Sequence, residues 1–194
     1  MRIDMTLQVT PQMVGNAGEF EKKVFTGHLG THFDVMDKEF PLEYVERKGI
    51  VFQISMNAER EIGVNDIDLS LIEKDMFVAF CTSFIENVGY GTQEYFAKHP
   101  YLSQELIVAL VKKQISIIGV DFAGIRRAKE HRIADQYCAD NNVFVVENLC
   151  NLKSILKGKE TALFIAHTYP MNYSDMSGLP CRVVADIVTN VDKI

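Results

Sequence analysis

The sequence predicts an α/β fold with a mixed central sheet. Seven short runs rich in β-branched and aromatic residues have the composition of strands, and three other segments carry apolar residues at helical spacing. Helices separate only some of the strands, so the sheet is expected to be mixed rather than strictly doubly wound. The chain of 194 residues has no repeat, linker or low-complexity tract, which predicts a single domain over residues 1–194.

The predicted strands follow from local composition. Several are apolar throughout, as expected where a sheet is covered on both faces. In chain order they span residues 4–9, 49–56, 76–84, 116–122, 143–149, 162–169 and 181–188.

Each of the three predicted helices carries an end signal. The segment 101–114 has Ser103 as its N-cap and lysines in its last turn. The segment 128–142 ends in two asparagines and the segment 151–158 ends in Gly158. Asparagine and glycine both favour the left-handed conformation in which helices commonly end.

The charge balance excludes several classes of partner. The net charge is −6 and the chain has no basic run, so neither nucleic acid nor an anionic membrane is expected as a partner.

No apolar run nears the roughly 18 residues of a membrane span, and the N-terminus lacks an apolar signal core. The four cysteines form no CxxC pair, so no redox motif is predicted. We expect a cytoplasmic protein with a small-molecule substrate.

The stretch TGHLGTHFD carries two histidines and an aspartate within seven residues. On a helix, His28 and His32 would share a face, but Gly30 and Thr31 oppose a helix. In an extended strand, both histidines and Asp34 would project from one face, and Gly30 would leave room for a cation. These ligand types suit zinc, manganese or iron(II). The alternative is two ordinary histidines beside a turn.

Several ordered segments resemble the cyclase family of metal-dependent hydrolases, which includes bacterial kynurenine formamidases and isatin hydrolases. The family signature His-x-Gly-Thr-His-x-Asp is matched in full by residues 28–34. The likeness continues through RIDMTLQVTP, KHPYLSQELIVALVKKQISIIGVD, VFVVENLCNL and GLPCRVVADI. The resemblance implies a swivelling β/β/α fold, assembly as a homodimer or higher homo-oligomer, and a site for one or two zinc or manganese ions.

The resemblance also implies a set of metal ligands. His28, His32 and Asp34 would bind the metal, with Asp34 able to bridge two ions, and Glu147 would be a further ligand. Glu147 follows four apolar residues, where a buried carboxylate needs a partner such as a cation. The alternative is a glutamate that emerges into solvent at the end of a strand.

The chain departs from the family at a further histidine ligand, which usually stands twelve residues before the glutamate. That position is Asp135 here, and His131 lies one helical turn earlier. Residues four apart share a helix face, so His131 would serve if the helix is a turn longer, and Asp135 would serve if the register is kept. Otherwise both residues lie on a solvated helix face.

A second departure follows Asp34. The family typically has a proline two residues later and a general acid/base histidine four residues later, but these positions are Met36 and Lys38 here. If the extended conformation continues, Lys38 faces the site, where nearby cations would disfavour its charged form. The lysine could then act as a base or stabilise an oxyanion. Otherwise Lys38 points to water.

These features predict a metal-dependent amidohydrolase that acts on a small amide, formamide or cyclic amide. The cation would polarise the carbonyl and activate a water, and Glu147 and Lys38 are the expected catalytic residues for proton transfer. The alternative is a catalytically silent metal- or ligand-binding member of the same fold, because a fold does not fix a function.

Overall fold

The computed structural model describes residues 1–10, 23–24, 26–55 and 61–187. The strands are β1 (Arg2–Asp4), β2 (His32–Asp34), β3 (Glu46–Gln53), β4 (Glu61–Ile62), β5 (Phe77–Cys81), β6 (Tyr101–Leu102), β7 (Ile117–Val120), β8 (Phe144–Glu147), β9 (Thr161–Pro170) and β10 (Gly178–Asp186). The α-helices whose two ends lie in the described ranges are α1 (Phe84–Val88), α2 (Gln93–Lys98), α3 (Gln104–Lys112), α4 (Lys129–Asp140) and α5 (Leu152–Leu156).

The predicted α/β fold with a mixed central sheet is confirmed. The large sheet has the order β1-β10-β2-β8-β7-β5-β3-β9, and β10 also pairs with β9, so the sheet closes on itself like a barrel. Strands β3, β5, β7 and β8 are parallel neighbours, whereas the remaining pairs are antiparallel. Strands β4 and β6 form a separate small sheet.

Alternation along the strands divides the buried apolar residues into two clusters. Val145 of β8 packs in the cluster that contains residues of α3 and α4, including Leu106 and Cys138. Phe144 and Val146, its neighbours along the strand, pack in the other cluster, on the opposite face of the sheet. The sheet is therefore covered on both faces, as the apolar strands predict.

Strand pairing positions three candidate metal ligands on the face covered by α4. Strand β2 runs antiparallel to β8, with His32 opposite Glu147 and Asp34 opposite Val145. Residues directly opposite in an antiparallel pair project to the same side. Because Val145 faces α4, the side chains of His32, Asp34 and Glu147 project toward that helix as well.

The predicted helix ends agree closely with the structure. The Ser103 side chain accepts a hydrogen bond from the Leu106 backbone N–H at 3.0 Å, which is the capping contact expected of an N-cap serine. Asn142 and Gly158 both have positive φ just beyond α4 and α5. No helix in the described ranges combines the length and apolar character that crossing a bilayer requires.

The first predicted strand is misplaced. Strand β1 ends at Asp4, because the Asp4 carboxylate accepts the Thr6 backbone N–H at 3.1 Å and turns the chain. Beyond that turn Thr6 forms one isolated bridge, to Leu149. The short helices α1 and α2 were not predicted, and the predicted strand 76–84 overlaps the first residue of α1. Met56 and Val188, which end two predicted strands, lie outside the described residues.

Candidate metal centre

The histidine motif is half turn and half strand. Strand β2 begins only at His32, and Gly30 has a φ of +70°, so the predicted continuous strand over residues 28–34 is wrong in its first half. A Cβ on Gly30 would lie 2.7 Å from Val9 Cγ2. Glycine is therefore required by the turn and by close packing, and the predicted reason, room for a cation between the ligands, is wrong.

His28 nevertheless reaches Asp34 through this turn. Its Nε2 lies 3.1 Å from Asp34 Oδ1, and its ring centre lies 4.9 Å from that of His32. Its Nδ1 contacts Thr26 Oγ1 at 2.9 Å. Gly178 of β10 packs against the ring, because a Cβ there would lie 2.8 Å from His28 Cε1. The turn and the neighbouring strand β10 thus position the His28 side chain, whereas the alternation of side chains along a strand was expected to do so.

All six residues predicted as metal ligands meet in one cluster. Two groups of three have ligand atoms that lie within 4.8 Å of one another. The first trio is His28, His32 and Asp34. The second trio is Asp34, His131 and Asp135. Asp34 belongs to both trios, which is the arrangement a bridging carboxylate needs.

Glu147 connects the two trios. Its Oε1 lies 2.9 Å from His131 Nε2 and its Oε2 lies 3.6 Å from His32 Nε2. On α4, His131 Nε2 also lies 3.2 Å from Asp135 Oδ2. The alternatives left open for the further ligand therefore do not exclude each other, since one helix face brings both His131 and Asp135 to the cluster.

The burial of the carboxylates fits a cation. Asp34, Asp135 and Glu147 are each 3% exposed. Asp34 Oδ2 and Asp135 Oδ1 are buried and have no hydrogen-bond partner among the described residues, which is costly for a carboxylate in the protein interior. A divalent cation would satisfy both oxygens, and this set of imidazole and carboxylate donors suits zinc or manganese.

The ionisable groups of the cluster shift one another's pKa values in different directions. Burial alone would raise the pKa of Asp34, but hydrogen bonds from His28 and His32 outweigh it and hold that pKa far below its usual range. Burial and the charge of Asp34 raise the pKa of Asp135 well above its usual range. Burial opposes the charged form of His131, but Glu147 and Asp135 raise its pKa to about 10.

A backbone carbonyl orients the buried histidine. His32 Nδ1 lies 2.9 Å from the Gly30 carbonyl oxygen, which can only accept, so Nδ1 carries the proton. Nε2 then faces Asp34 and Glu147 and is the nitrogen available to a metal. Burial lowers the pKa of His32, yet the two carboxylates outweigh that effect and raise it.

Lys38 lies away from the cluster. Met36 has a φ of +57°, and the Lys38 backbone N–H donates to the Val35 carbonyl at 3.0 Å, so the chain turns instead of continuing extended. Lys38 Nζ lies 2.9 Å from Asp140 and 3.1 Å from Asp37. These carboxylates raise the pKa of Lys38, opposite to the lowering expected beside cations. The predicted orientation of Lys38 toward the site is therefore wrong.

Sequence reasoning also missed residues that support the ligands. Thr31 is buried; its hydroxyl donates to the Asn148 carbonyl at 2.8 Å and accepts the Leu7 backbone N–H at 2.8 Å. Gly124 leaves space for the His131 ring, because a Cβ there would lie 2.8 Å from His131 Cε1. Thr31 belongs to the signature and His131 was predicted as a ligand, but the contacts of Thr31 come from Leu7 and Asn148, which lie far from it along the chain.

Solved structures share this architecture along almost the whole chain. A potential metal-dependent hydrolase with cyclase activity is 20% identical, with a TM-score of 0.73 over 95% of this chain and 96% of that chain. Isatin hydrolase A from Labrenzia aggregata, bound to benzyl benzoate, is 17% identical, with a TM-score of 0.74 over 96% and 93%. Isatin hydrolase A from Ralstonia solanacearum is 18% identical, with a TM-score of 0.72 over 97% and 92%. These likenesses confirm the fold class.

The sequence itself identifies the family. No curated protein matches this chain significantly. The Cyclase family model matches residues 3–126, more than half of the chain, and this segment contains the complete histidine signature. The chain therefore belongs to the cyclase family.

Proposed function

We propose that this protein is a metal-dependent hydrolase that cleaves the carbon–nitrogen bond of a small amide, formamide or cyclic amide. The observation that carries the proposal is the position of Asp34, which is shared by both trios and whose buried Oδ2 has no hydrogen-bond partner in the described part of the chain. Zinc or manganese, with one or two ions per chain, is the proposed cofactor, because both metals accept mixed imidazole and carboxylate ligands.

The two trios suggest how the residues would share the work. His28, His32 and Asp34 would hold one cation, and His131 and Asp135 would hold a second together with Asp34. A divalent cation in such a site polarises a carbonyl oxygen and lowers the pKa of a water toward neutrality. That chemistry suits attack on an amide carbonyl.

The exposed rim of the cluster indicates where a substrate would approach. The side chains of His28 and His131 are 25% and 35% exposed, whereas His32 and the three carboxylates are buried. Glu147 Oε1 lies beside His131 Nε2 on this side, so we propose Glu147 as the residue that holds the transferred proton. Cyclic amides are favoured as substrates because isatin, which names the two isatin hydrolases described above, is itself a cyclic amide.

The orientation of Lys38 favours a second candidate function. The resemblance places a general acid/base histidine at this position, and the lysine found there pairs with Asp140 instead of facing the cluster. A catalytically silent protein that binds a metal or a ligand would show this arrangement. The exposure of His28 and His131 argues for catalysis instead, because a purely structural metal site tends to be closed to exchangeable water.

A reconstitution experiment separates the two functions. The protein is treated with a chelator, reloaded with zinc or manganese, and assayed for ring opening of isatin and for hydrolysis of N-formyl anilides. We expect turnover that requires the metal and is lost in His32→Ala. Stoichiometric metal binding without turnover of any of these amides would contradict the hydrolase and support the binding protein.

Three further expectations, on localisation, oligomeric state and domain organisation, accompany this proposal. We propose a cytoplasmic protein, a homodimer or higher homo-oligomer, and a single domain over residues 1–194. The single domain is supported by the pairing of β1 with β10, since strands from the two ends of the described chain then belong to one sheet.

A further inference from the structure

The backbone of Gly30 is held on both sides of its Cα atom. Its carbonyl oxygen accepts hydrogen bonds from His32 Nδ1 and from Asn148 Nδ2, both at 2.9 Å. Its N–H donates to the Tyr90 hydroxyl at 2.9 Å. Because glycine at a φ of +70° has little steric restraint of its own, these bonds determine the direction of the carbonyl that orients His32.

Asn148 is itself fixed in one orientation. Its side chain is buried, and its Oδ1 accepts a hydrogen bond from the Tyr95 hydroxyl at 2.7 Å. The Gly30 carbonyl can only accept, so the amide nitrogen of Asn148 must face it. The Asn148 carbonyl accepts the Thr31 hydroxyl at 2.8 Å. Tyr95 and Asn148 thus form a buried relay that ends on the Gly30 carbonyl.

We propose that Asn148 is a positioning residue that fixes the ring of His32 for metal binding by holding the Gly30 carbonyl. The proposal rests on the metal site proposed above. Asn148 follows Glu147 directly and ties the end of β8 to the turn that precedes β2. Asn148 therefore links the segments that carry two candidate ligands, His32 and Glu147, which lie opposite each other on paired strands.

Tyr95 and Asn148 contribute by fixing the direction of the Gly30 carbonyl. Without the Asn148 amide, the Gly30 carbonyl keeps only the bond from His32 and can turn with it. Hydrogen-bond partners of metal-ligating histidines contribute about 10- to 100-fold to metal affinity. We expect a loss in this range for zinc when the amide is removed, and a smaller loss in Tyr95→Phe, which removes only the hydroxyl that anchors Asn148.

Asn148→Gly is the direct test, because glycine accepts the φ of +59° found at this position without strain. The matched control is Ser116→Ala, which removes a buried hydroxyl that donates to the Asp75 carbonyl at 3.1 Å. Ser116 precedes β7 and lies at the opposite end of the parallel strands from Glu147. Zinc affinity is measured by competition with a chromophoric chelator, and the His32 Nδ1 proton is followed by NMR in metal-free and zinc-loaded protein.

We expect Asn148→Gly to weaken zinc binding about 10- to 100-fold and to broaden the His32 Nδ1 proton signal, while Ser116→Ala changes neither. In an Asn148→Gly background, Tyr95→Phe should cause no further loss. Wild-type affinity and an unchanged proton signal in Asn148→Gly would overturn the inference, as would an equal loss of affinity in Ser116→Ala. If the wild-type protein binds no zinc, the proposed function fails, whereas selective loss of the proton signal in metal-free Asn148→Gly still supports the positioning role.

Discussion

Gly178→Ala tests whether close backbone packing sets the position of His28. A Cβ at this position would lie 2.8 Å from the Cε1 and Nδ1 atoms of the His28 ring and 2.9 Å from the carbonyl carbon of Gly27, whereas ordinary contacts begin near 3.4 Å. The ring and the turn that carries it must therefore move by about 0.6 Å, which exceeds the roughly 0.2 Å tolerance of metal–ligand distances. Because Gly178 does not have the left-handed φ that disfavours alanine, the effect comes from the methyl group.

The expected result is a selective loss of metal affinity. Zinc binding should weaken by about 10- to 100-fold, the scale seen when the support of a metal ligand is disturbed. Crowding of this kind costs about 1–3 kcal/mol of unfolding free energy, so the variant is expected to remain folded. Zinc affinity is measured by chelator competition, and stability is measured by urea unfolding of the metal-free protein.

Two further variants make this test decisive. Gly63→Ala is the matched control, because the nearest atom to its new methyl group would be Asp66 Oδ2 at 3.8 Å, and it should bind zinc as the wild type does. In a His28→Ala background, Gly178→Ala should cause little additional loss of affinity, since the ligand carried by the displaced turn is already absent. Wild-type zinc affinity in a folded Gly178→Ala protein would refute the reasoning.

Three other changes probe the charges around the cluster. Lys38→Met should leave zinc affinity and turnover close to wild type, because the amine pairs with Asp140; a fall in turnover on the order of 10²–10⁴ would restore a general acid/base role. Asp135→Asn should reduce the rise in melting temperature caused by zinc, because the second trio loses one of its carboxylate ligands. A rise in melting temperature as large as that of the wild type would contradict this. Metal-free protein should lose stability as the pH rises from about 6.5 toward 10, because the pKa of His131 is raised to about 10 in the folded state and protonation then favours folding only below that range. His131→Gln should flatten this dependence, and an unchanged slope would be evidence against the assignment.

Much of the fold was predictable because its strands and longer helices carry strong local signals. Apolar β-branched runs placed the central strands, and Ser103 marked the start of α3. The error at β1 has a local cause, since the Asp4 carboxylate forms a turn with Thr6 that strand composition does not reveal. The five-residue helix α1 was missed because its first residue falls in the apolar run 76–84, which was predicted as a strand.

The sequence predicted which residues form the candidate site better than it predicted how those residues reach it. Parity correctly placed His32 and Asp34 on one face of β2, but His28 reaches the cluster through a glycine turn instead. The prediction for Lys38 depended on a strand that ends at Asp34. Contacts between distant segments, such as those of Asn148 with Gly30, depend on strand register, and no local pattern in the sequence encodes them.

The central claim is that cation binding depends on Asp34, which belongs to both trios, and metal content tests it most directly. Chelator-treated wild-type protein and Asp34→Asn are dialysed against the same free zinc concentration, and the bound zinc is measured by elemental analysis. We predict about one or two zinc ions per wild-type chain and almost none in Asp34→Asn, because both trios lose their shared ligand. Full zinc content in Asp34→Asn, or no zinc in the wild type, would contradict the account.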